Sequence, residues 1–168
     1  MNDLILSSLK VASGKGSMTN MEATAGTDIA DSTAALAMDA TYLNKVTFSA
    51  LDGAAKTVTL PAFTHTGDSV IIIQKVDLVG SGVLTIDCAG SQSFDTGSYA
   101  KYHGASNVNK MDIATAGETS LVITGAATNS GAGIGTTVKA TYLGSDKILI
   151  EAQGVNLGNG SDAFAFAA

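Results

Sequence analysis

The sequence contains no arginine: its nine basic residues are all lysines, against 15 acidic ones, and its formal net charge is -6. Without arginine the chain has no guanidinium fork for bidentate recognition of phosphate or carboxylate groups. Proteins that bind nucleic acid need clustered cations to neutralise phosphates. The charge balance therefore excludes nucleic acid as the main partner.

Cysteine is nearly absent as well. Cys88 is the only one, so an intrachain disulfide is impossible and a disulfide-stapled secreted scaffold is excluded. We interpret Cys88 as a small buried hydrophobic residue at the end of a strand. No apolar run approaches the roughly 18 residues of a membrane span, and the apolar stretch near the start is too short for a secretory signal. We expect a soluble protein that is made in the cytoplasm and does not contact membrane.

Charged residues make up only 14% of the chain, whereas hydrophobic residues make up 45%. The 168 residues are enough for one domain with a substantial core. So little charge is unusual for the surface of a free monomer. We therefore expect part of the surface to be covered by a partner or by further copies of the chain.

The β-rich stretch from Lys56 to Asp87 is the one around which we expect the fold to be organised. It contains three short runs separated by turn residues, with Pro61 ending the first, because proline cannot donate to a β-ladder. The second run, Ser69 to Val76, has a core at 70–73 that is apolar on both faces; it suits a strand buried from both sides, although periodicity alone does not exclude a helix segment. Gly80-Ser81-Gly82 then predicts a tight return into Val83 to Cys88. The pattern predicts a β-meander.

Strand signals continue on both sides of this stretch. Asp52-Gly53 predicts a hairpin turn after an alternating run at 46–50. Residues 136–143 and 147–152 predict a second hairpin, in which Val138, Ala140 and Tyr142 share one face. Residues 89–117 and 125–135 are interpreted as long loops. The whole predicts an all-β fold: an antiparallel, jelly-roll-like β-sandwich over residues 41–154.

The two ends have a different composition. Residues 1–40 predict an extended N-terminal arm, and Asp28 to Met38 is compatible with one short helix. Residues 155–168 form a small, glycine-rich C-terminal tail. Leu4, Ile5, Leu6 and Leu9 form an apolar cluster within the arm.

Four motifs follow one another in a recognisable order: K-T-V-T-L-P-A-F, G-D-S-V-I-I-I-Q-K-V-D, G-V-L-T-I-D and T-V-K-A-T-Y-L-G-S-D-K-I-L-I-E-A-Q-G. Over residues 44–154 this order resembles virion surface proteins of tailed bacteriophages, although Lys147 or Ile148 stands where that pattern often has tryptophan. The resemblance implies a non-enzymatic homotrimer on the outer capsid surface of the virion. Because the chain is short, it implies a capsid decoration (cement) protein that binds the major capsid protein; the alternative is a trimeric head- or tail-fibre module that binds a receptor or carbohydrate.

Two groups of residues are candidate contact sites. Leu4, Ile5, Leu6 and Leu9 would bury apolar area on a neighbouring subunit or on the capsid lattice; a disordered leader or an edge strand of the chain's own sheet is the alternative. Phe94, Tyr99 and Tyr102 form an aromatic cluster that either faces a partner or packs on the protein's own core.

No motif in the sequence indicates catalysis, so we expect no enzyme activity and no cofactor. His65 and His103 are interpreted as loop residues rather than metal ligands or pH switches. Residues 156–162 are rich in oxygen ligands, but they lack the closing bidentate glutamate of a calcium loop. No metal site is expected.

Overall fold

The structure is a computed structural model that describes residues 28–103, 109–125, 133–155 and 163–168. These residues form twelve strands, numbered β1 to β12 along the chain, in two sheets. The five-stranded sheet has the spatial order β1 (Leu36–Ala37), β3 (Ala55–Thr59), β5 (Val83–Asp87), β9 (Ser120–Thr124) and β12 (Phe164–Ala167). The seven-stranded sheet has the order β2 (Lys45–Ser49), β4 (Ser69–Gln74), β10 (Thr137–Gly144), β11 (Lys147–Val155), β7 (Tyr99–His103) and β8 (Asn109–Ile113), with β6 (Ser93–Phe94) also on β11.

The two sheets pack face to face around one hydrophobic core, which confirms the predicted all-β sandwich. Aromatic pairs bridge the layers: Phe94 on β6 meets Phe166 on β12 edge to face at 5.7 Å between ring centroids. Tyr102 on β7 stacks on Phe164 of β12 at 5.5 Å. Contacts of this kind add to the stabilisation that burial of the rings supplies.

The pairing is mixed rather than antiparallel, and the predicted meander is wrong. The first five strands alternate between the sheets, so β3 pairs in parallel with β5 and β2 pairs in parallel with β4. Consecutive strands therefore never pair in this region, and Asp52-Gly53 does not close a hairpin. The parallel pairs also distinguish the sandwich from the jelly-roll-like arrangement that the sequence predicted.

The connections between these strands contain buried apolar residues, which explains why the chain passes from one sheet to the other. Leu51, Leu60, Phe63 and Leu78 are all buried, although they lie outside the strands. A hairpin loop of polar turn residues lies on the surface, whereas these connections carry apolar side chains that cover the core at its ends. Gln92 supports one of them, because its side-chain amide donates to the carbonyl of Phe63 at 2.9 Å.

The hairpin of β10 and β11 is confirmed. Ser145 and Asp146 form its turn, both with positive φ (53° and 57°), as a two-residue loop of the type I′ class requires. The register places Ala140 opposite Ile150 and Tyr142 opposite Ile148. Buried side chains include the predicted inner face of both strands: Val138, Ala140, Tyr142, Ile148 and Ile150.

Residues 89–117 are not one long loop, because they contain β6, β7 and β8. Both β6 and β7 run parallel to β11, against Lys147–Ile148 and Glu151–Val155 respectively. Ser98 fills the gap between them: its hydroxyl accepts from the Ile150 N–H at 2.9 Å and donates to the Ile148 carbonyl at 3.3 Å. A side chain thus replaces the missing ladder bonds of the buried β11 backbone.

The sandwich extends beyond residues 41–154 at both ends. Asp28 to Met38 is not helical: Ile29 forms a parallel bridge to Ser49, and Leu36–Ala37 is strand β1. The one short helical element here is a 3₁₀ turn at Ala40–Tyr42, which the Asp39 side chain caps. At the other end, β12 pairs with β9 and supplies Phe164 and Phe166 to the core. Burial of these apolar residues explains why the ends join the sheets.

Candidate binding surface

The residues predicted to contact a partner are placed very differently by the structure. The apolar cluster of the arm, Leu4, Ile5, Leu6 and Leu9, lies outside the described residues, as do residues 156–162. Phe94 and Tyr102 are 0% and 2% exposed, so they are core residues and their assignment as surface contacts is wrong. Tyr99 alone of the aromatic cluster reaches the surface, where it is partly exposed.

The outer face of the seven-stranded sheet presents an apolar patch at one end, formed by Val46 and Phe48 of β2 and by Ile71 and Ile73 of β4. We call it the β2–β4 patch. The parallel register sets Val46 beside Ile71 and Phe48 beside Ile73, so the four side chains form a contiguous block. Phe48 is 37% exposed and the other three are partly exposed. Ile71 and Ile73 thus face outward, whereas the sequence predicted that both faces of this strand were buried.

The β2–β4 patch arises from an inverted alternation in β2. Thr47 and Ser49, the polar residues of K-V-T-F-S, point into the core with 0% exposure, and Phe48 points out. In β4 the inward residues are Val70, Ile72 and Gln74. The amide of Gln74 donates to the Leu51 carbonyl, which places this polar side chain inside. Placing threonine and serine inside and phenylalanine outside is unusual for a half-buried sheet.

The opposite end of the same face is also apolar. Met111 and Ile113 of the edge strand β8 are 61% and 51% exposed. They lie opposite Lys101 and Tyr99 of β7. Asp112, between them, points inward and accepts from the Phe166 N–H at 2.9 Å. A charged residue that points inward on an edge strand hinders pairing with another chain along that edge.

The middle of the face is polar. Lys139 of β10 and Glu151 of β11 form an ion pair at 3.5 Å. They line a shallow depression of about 380 Å³ together with Gly135, Thr137 and Gln153. The Tyr99 hydroxyl approaches Glu151 at 3.4 Å, and the Lys101 ammonium lies 5.8 Å from the centroid of the Tyr99 ring. The face therefore consists of two apolar ends around a polar centre that carries Lys101, Lys139 and Glu151.

The two histidines lie in different kinds of local structure. His65 lies in a turn as predicted; its side chain is 85% exposed and 3.6 Å from the Asp68 carboxylate. His103 belongs to β7 rather than to a loop. Within residues 28–103, 109–125, 133–155 and 163–168, no three His, Cys, Asp or Glu side chains are grouped as metal ligands require. The same residues include no helix that is long and apolar enough to cross a membrane.

Cys88 directly follows β5, and its side chain packs against the core as the sequence predicted. The pKa of the Cys88 thiol is raised to about 12: burial raises it most, the neighbouring Asp87 carboxylate also raises it, and the Lys147 ammonium lowers it. Thiolate, the reactive form, is therefore scarce at neutral pH. Because the thiol pKa is higher in the folded protein, the unfolded chain loses this proton at a lower pH. The free energy of unfolding should therefore fall above about pH 9.

At pH 8 we expect folded Cys88 to react with Ellman's reagent on the order of 1000-fold more slowly than Cys88 of the chain unfolded in urea. The reason is that the rise of the thiol pKa from 9.0 to about 12 lowers the thiolate fraction by about that factor. Stopped-flow absorbance would measure both rates. Equal rates in the two states would contradict burial of the thiol.

The sequence analysis missed both apolar ends of the outer face. The alternation of Val46 and Phe48 with Thr47 and Ser49 shows that the two apolar residues share a face, but a half-buried sheet normally turns such a face inward. For Met111 and Ile113 there was no comparable signal, because their segment had been interpreted as a loop. Comparison of this chain with protein-family models, with curated proteins and with solved structures gives no match.

Proposed function

We propose that this chain is a capsid decoration protein of a tailed bacteriophage: a non-enzymatic structural protein that binds the outer surface of the head shell. The observation that carries the proposal is the outer face of the seven-stranded sheet, with apolar side chains exposed at both ends of a polar centre. Surfaces of this composition serve contacts between proteins. The order of the sequence motifs, which resembles that of phage virion surface proteins, supports the particular partner.

The mechanism is mechanical rather than chemical. A homotrimer placed at a junction of the shell presents three outer faces and three N-terminal arms to several copies of the major capsid protein. Once the first contact has formed, the others form at a high effective concentration, so individually weak contacts add up to stable attachment. A protein that binds only the assembled lattice stabilises that lattice by mass action.

The proposal is tested by adding the purified protein to undecorated shells of the major capsid protein encoded with it. We expect saturable co-sedimentation with the shells and a higher melting temperature of the decorated shells in calorimetry. A variant lacking residues 2–12 should remain folded by circular dichroism but should no longer attach, because the arm's leucines and isoleucine would each lose roughly 1.5–3 kcal/mol of burial.

Two results would separate the parts of this proposal. Attachment that survives loss of residues 2–12 would remove the arm from it and leave the sheet face as the contact. Absence of co-sedimentation for the full chain, with the protein in excess over the capsid subunits, would overturn the decoration role itself.

A trimeric fibre module that binds carbohydrate remains the second candidate function. The depression beside Tyr99 favours it, because Lys139, Glu151 and Gln153 offer hydrogen-bonding groups on a surface without strong charge. Burial of Phe94 and Tyr102 weighs against it, since sugar rings stack on exposed aromatic faces. Glycan-array binding that is lost in Glu151→Ala and Tyr99→Ala would favour the fibre module over decoration.

A further inference from the structure

The β2–β4 patch lies where the described chain begins. The N–H of Ile29 donates to the Phe48 carbonyl and the carbonyl of Ile29 accepts from Ala50, both at 2.8 Å. Asp28 forms an ion pair with Lys75, the residue that follows β4. The chain therefore enters the sandwich along the free edge of β2, directly beside Phe48.

The segment before Asp28 carries the side chains that such a patch would accept. Leu4, Ile5, Leu6 and Leu9 are the large aliphatic residues near the beginning of the sequence, and residues 10–27 connect them to Asp28. A connection of this length spans up to about 60 Å when extended. The patch next to Asp28 is therefore well within reach of the cluster.

A cluster on the same chain has an advantage over one on a second copy. Tethering gives an effective concentration on the order of millimolar, which exceeds the micromolar concentrations at which a purified protein is usually studied. Competition with a second copy that is free in solution, at equal contact energy, therefore favours the cluster of the same chain. Burial there would remove from water the apolar area of both the cluster and the patch.

We propose that the Leu4–Leu9 cluster docks on the β2–β4 patch of its own chain in the free protein. The patch is then the resting site of the arm, and attachment to a lattice exchanges this internal contact for an external one. The proposal concerns the free protein alone, so it stands or fails separately from the capsid role.

Methyl NMR on the full-length protein tests the proposal. Four simultaneous substitutions, Leu4→Ser, Ile5→Ser, Leu6→Ser and Leu9→Ser, remove the cluster without shortening the chain. We expect the δ1-methyl resonances of Ile71 and Ile73 to shift between the wild type and this variant. Two isoleucines serve as matched controls: Ile113, exposed at the far end of the same face, and Ile86, buried in the core. Both should keep their resonances, which also shows that the variant is folded.

Two outcomes would overturn the proposal. Unchanged Ile71 and Ile73 resonances would show that the cluster does not lie on the patch. Restoration of the wild-type resonances when unlabelled wild-type protein is mixed with the labelled variant would show that the cluster of a second copy is the occupant. If the cluster docks within its own chain, mixing has no effect on the resonances. The wild-type resonances are then also the same at 20 µM and 200 µM. These concentrations are on the order of those that methyl spectra require, and they lie well below the effective concentration of a tethered segment.

Discussion

Replacing Phe94 by alanine should lower the free energy of unfolding by about 3–5 kcal/mol, the range found when a fully buried phenylalanine is truncated. Phe94 is 0% exposed and meets Phe166 edge to face across the core. Its loss would leave a cavity between β6 and β12 and would remove one of the two aromatic contacts that pack β12 against the other sheet. Urea denaturation would measure the loss, and the melting temperature should fall on the order of 10 °C.

This variant also decides between the two interpretations of the aromatic cluster. A surface contact residue could be truncated with little change in stability, at the cost of partner binding. Met111→Ala is the matched control: Met111 is large and apolar, but it is 61% exposed on edge strand β8, so its truncation should change the free energy of unfolding by less than about 0.5 kcal/mol. Equal stabilities for the two variants would contradict the core position of Phe94.

Replacing Gly82 by alanine should cost roughly 3 kcal/mol, because a new methyl group would collide with the backbone. A Cβ built on Gly82 lies 2.3 Å from the Asp52 carbonyl oxygen and 2.6 Å from the Leu78 side chain. The same carbonyl accepts from the Val79 N–H at 3.0 Å, and the Gly82 carbonyl accepts from the Gly125 N–H at 2.8 Å. The crossing segments are thus hydrogen-bonded to one another, so they cannot move apart to accommodate the methyl group.

Gly53→Ala is the matched control for this prediction. Gly53 is in the neighbouring crossover, has no positive φ, and has nothing within 4 Å of an added Cβ. Its replacement should leave the stability unchanged or raise it by a few tenths of a kcal/mol, since alanine restricts the unfolded chain. Similar denaturation midpoints for Gly82→Ala and Gly53→Ala would contradict the close approach of the crossovers.

The inverted strand β2 links stability to the candidate binding surface. Its inward Thr47 and Ser49 contribute less apolar burial than a valine or isoleucine would, and the Thr47 hydroxyl has no hydrogen-bond partner among the described residues. An alternation that places Phe48 in water is unfavourable for an isolated sandwich. The proposed cover over the β2–β4 patch, from the arm or from a lattice, would offset that cost.

The sequence predicted well wherever local chemistry was sufficient. Ser145-Asp146 after Gly144 specifies a tight turn, and the alternation on both sides of it predicted the inner face of β10 and β11. The place of Cys88 at the end of a strand followed in the same way.

Strand partners and exposed faces were decided only by the tertiary structure. A period-two pattern shows which side chains share a face, but it does not specify the neighbouring strand, since a run such as Val70–Ile73 suits a parallel partner, an antiparallel partner or either sheet. The alternation of β1 to β5 between two sheets depends on Leu60, Phe63 and Leu78, whose burial in the connections is a property of the closed core. The sequence by itself thus determined an all-β chain with one defined hairpin; long-range packing determined the mixed sheets, and with them the apolar face that Phe48 and Ile73 expose.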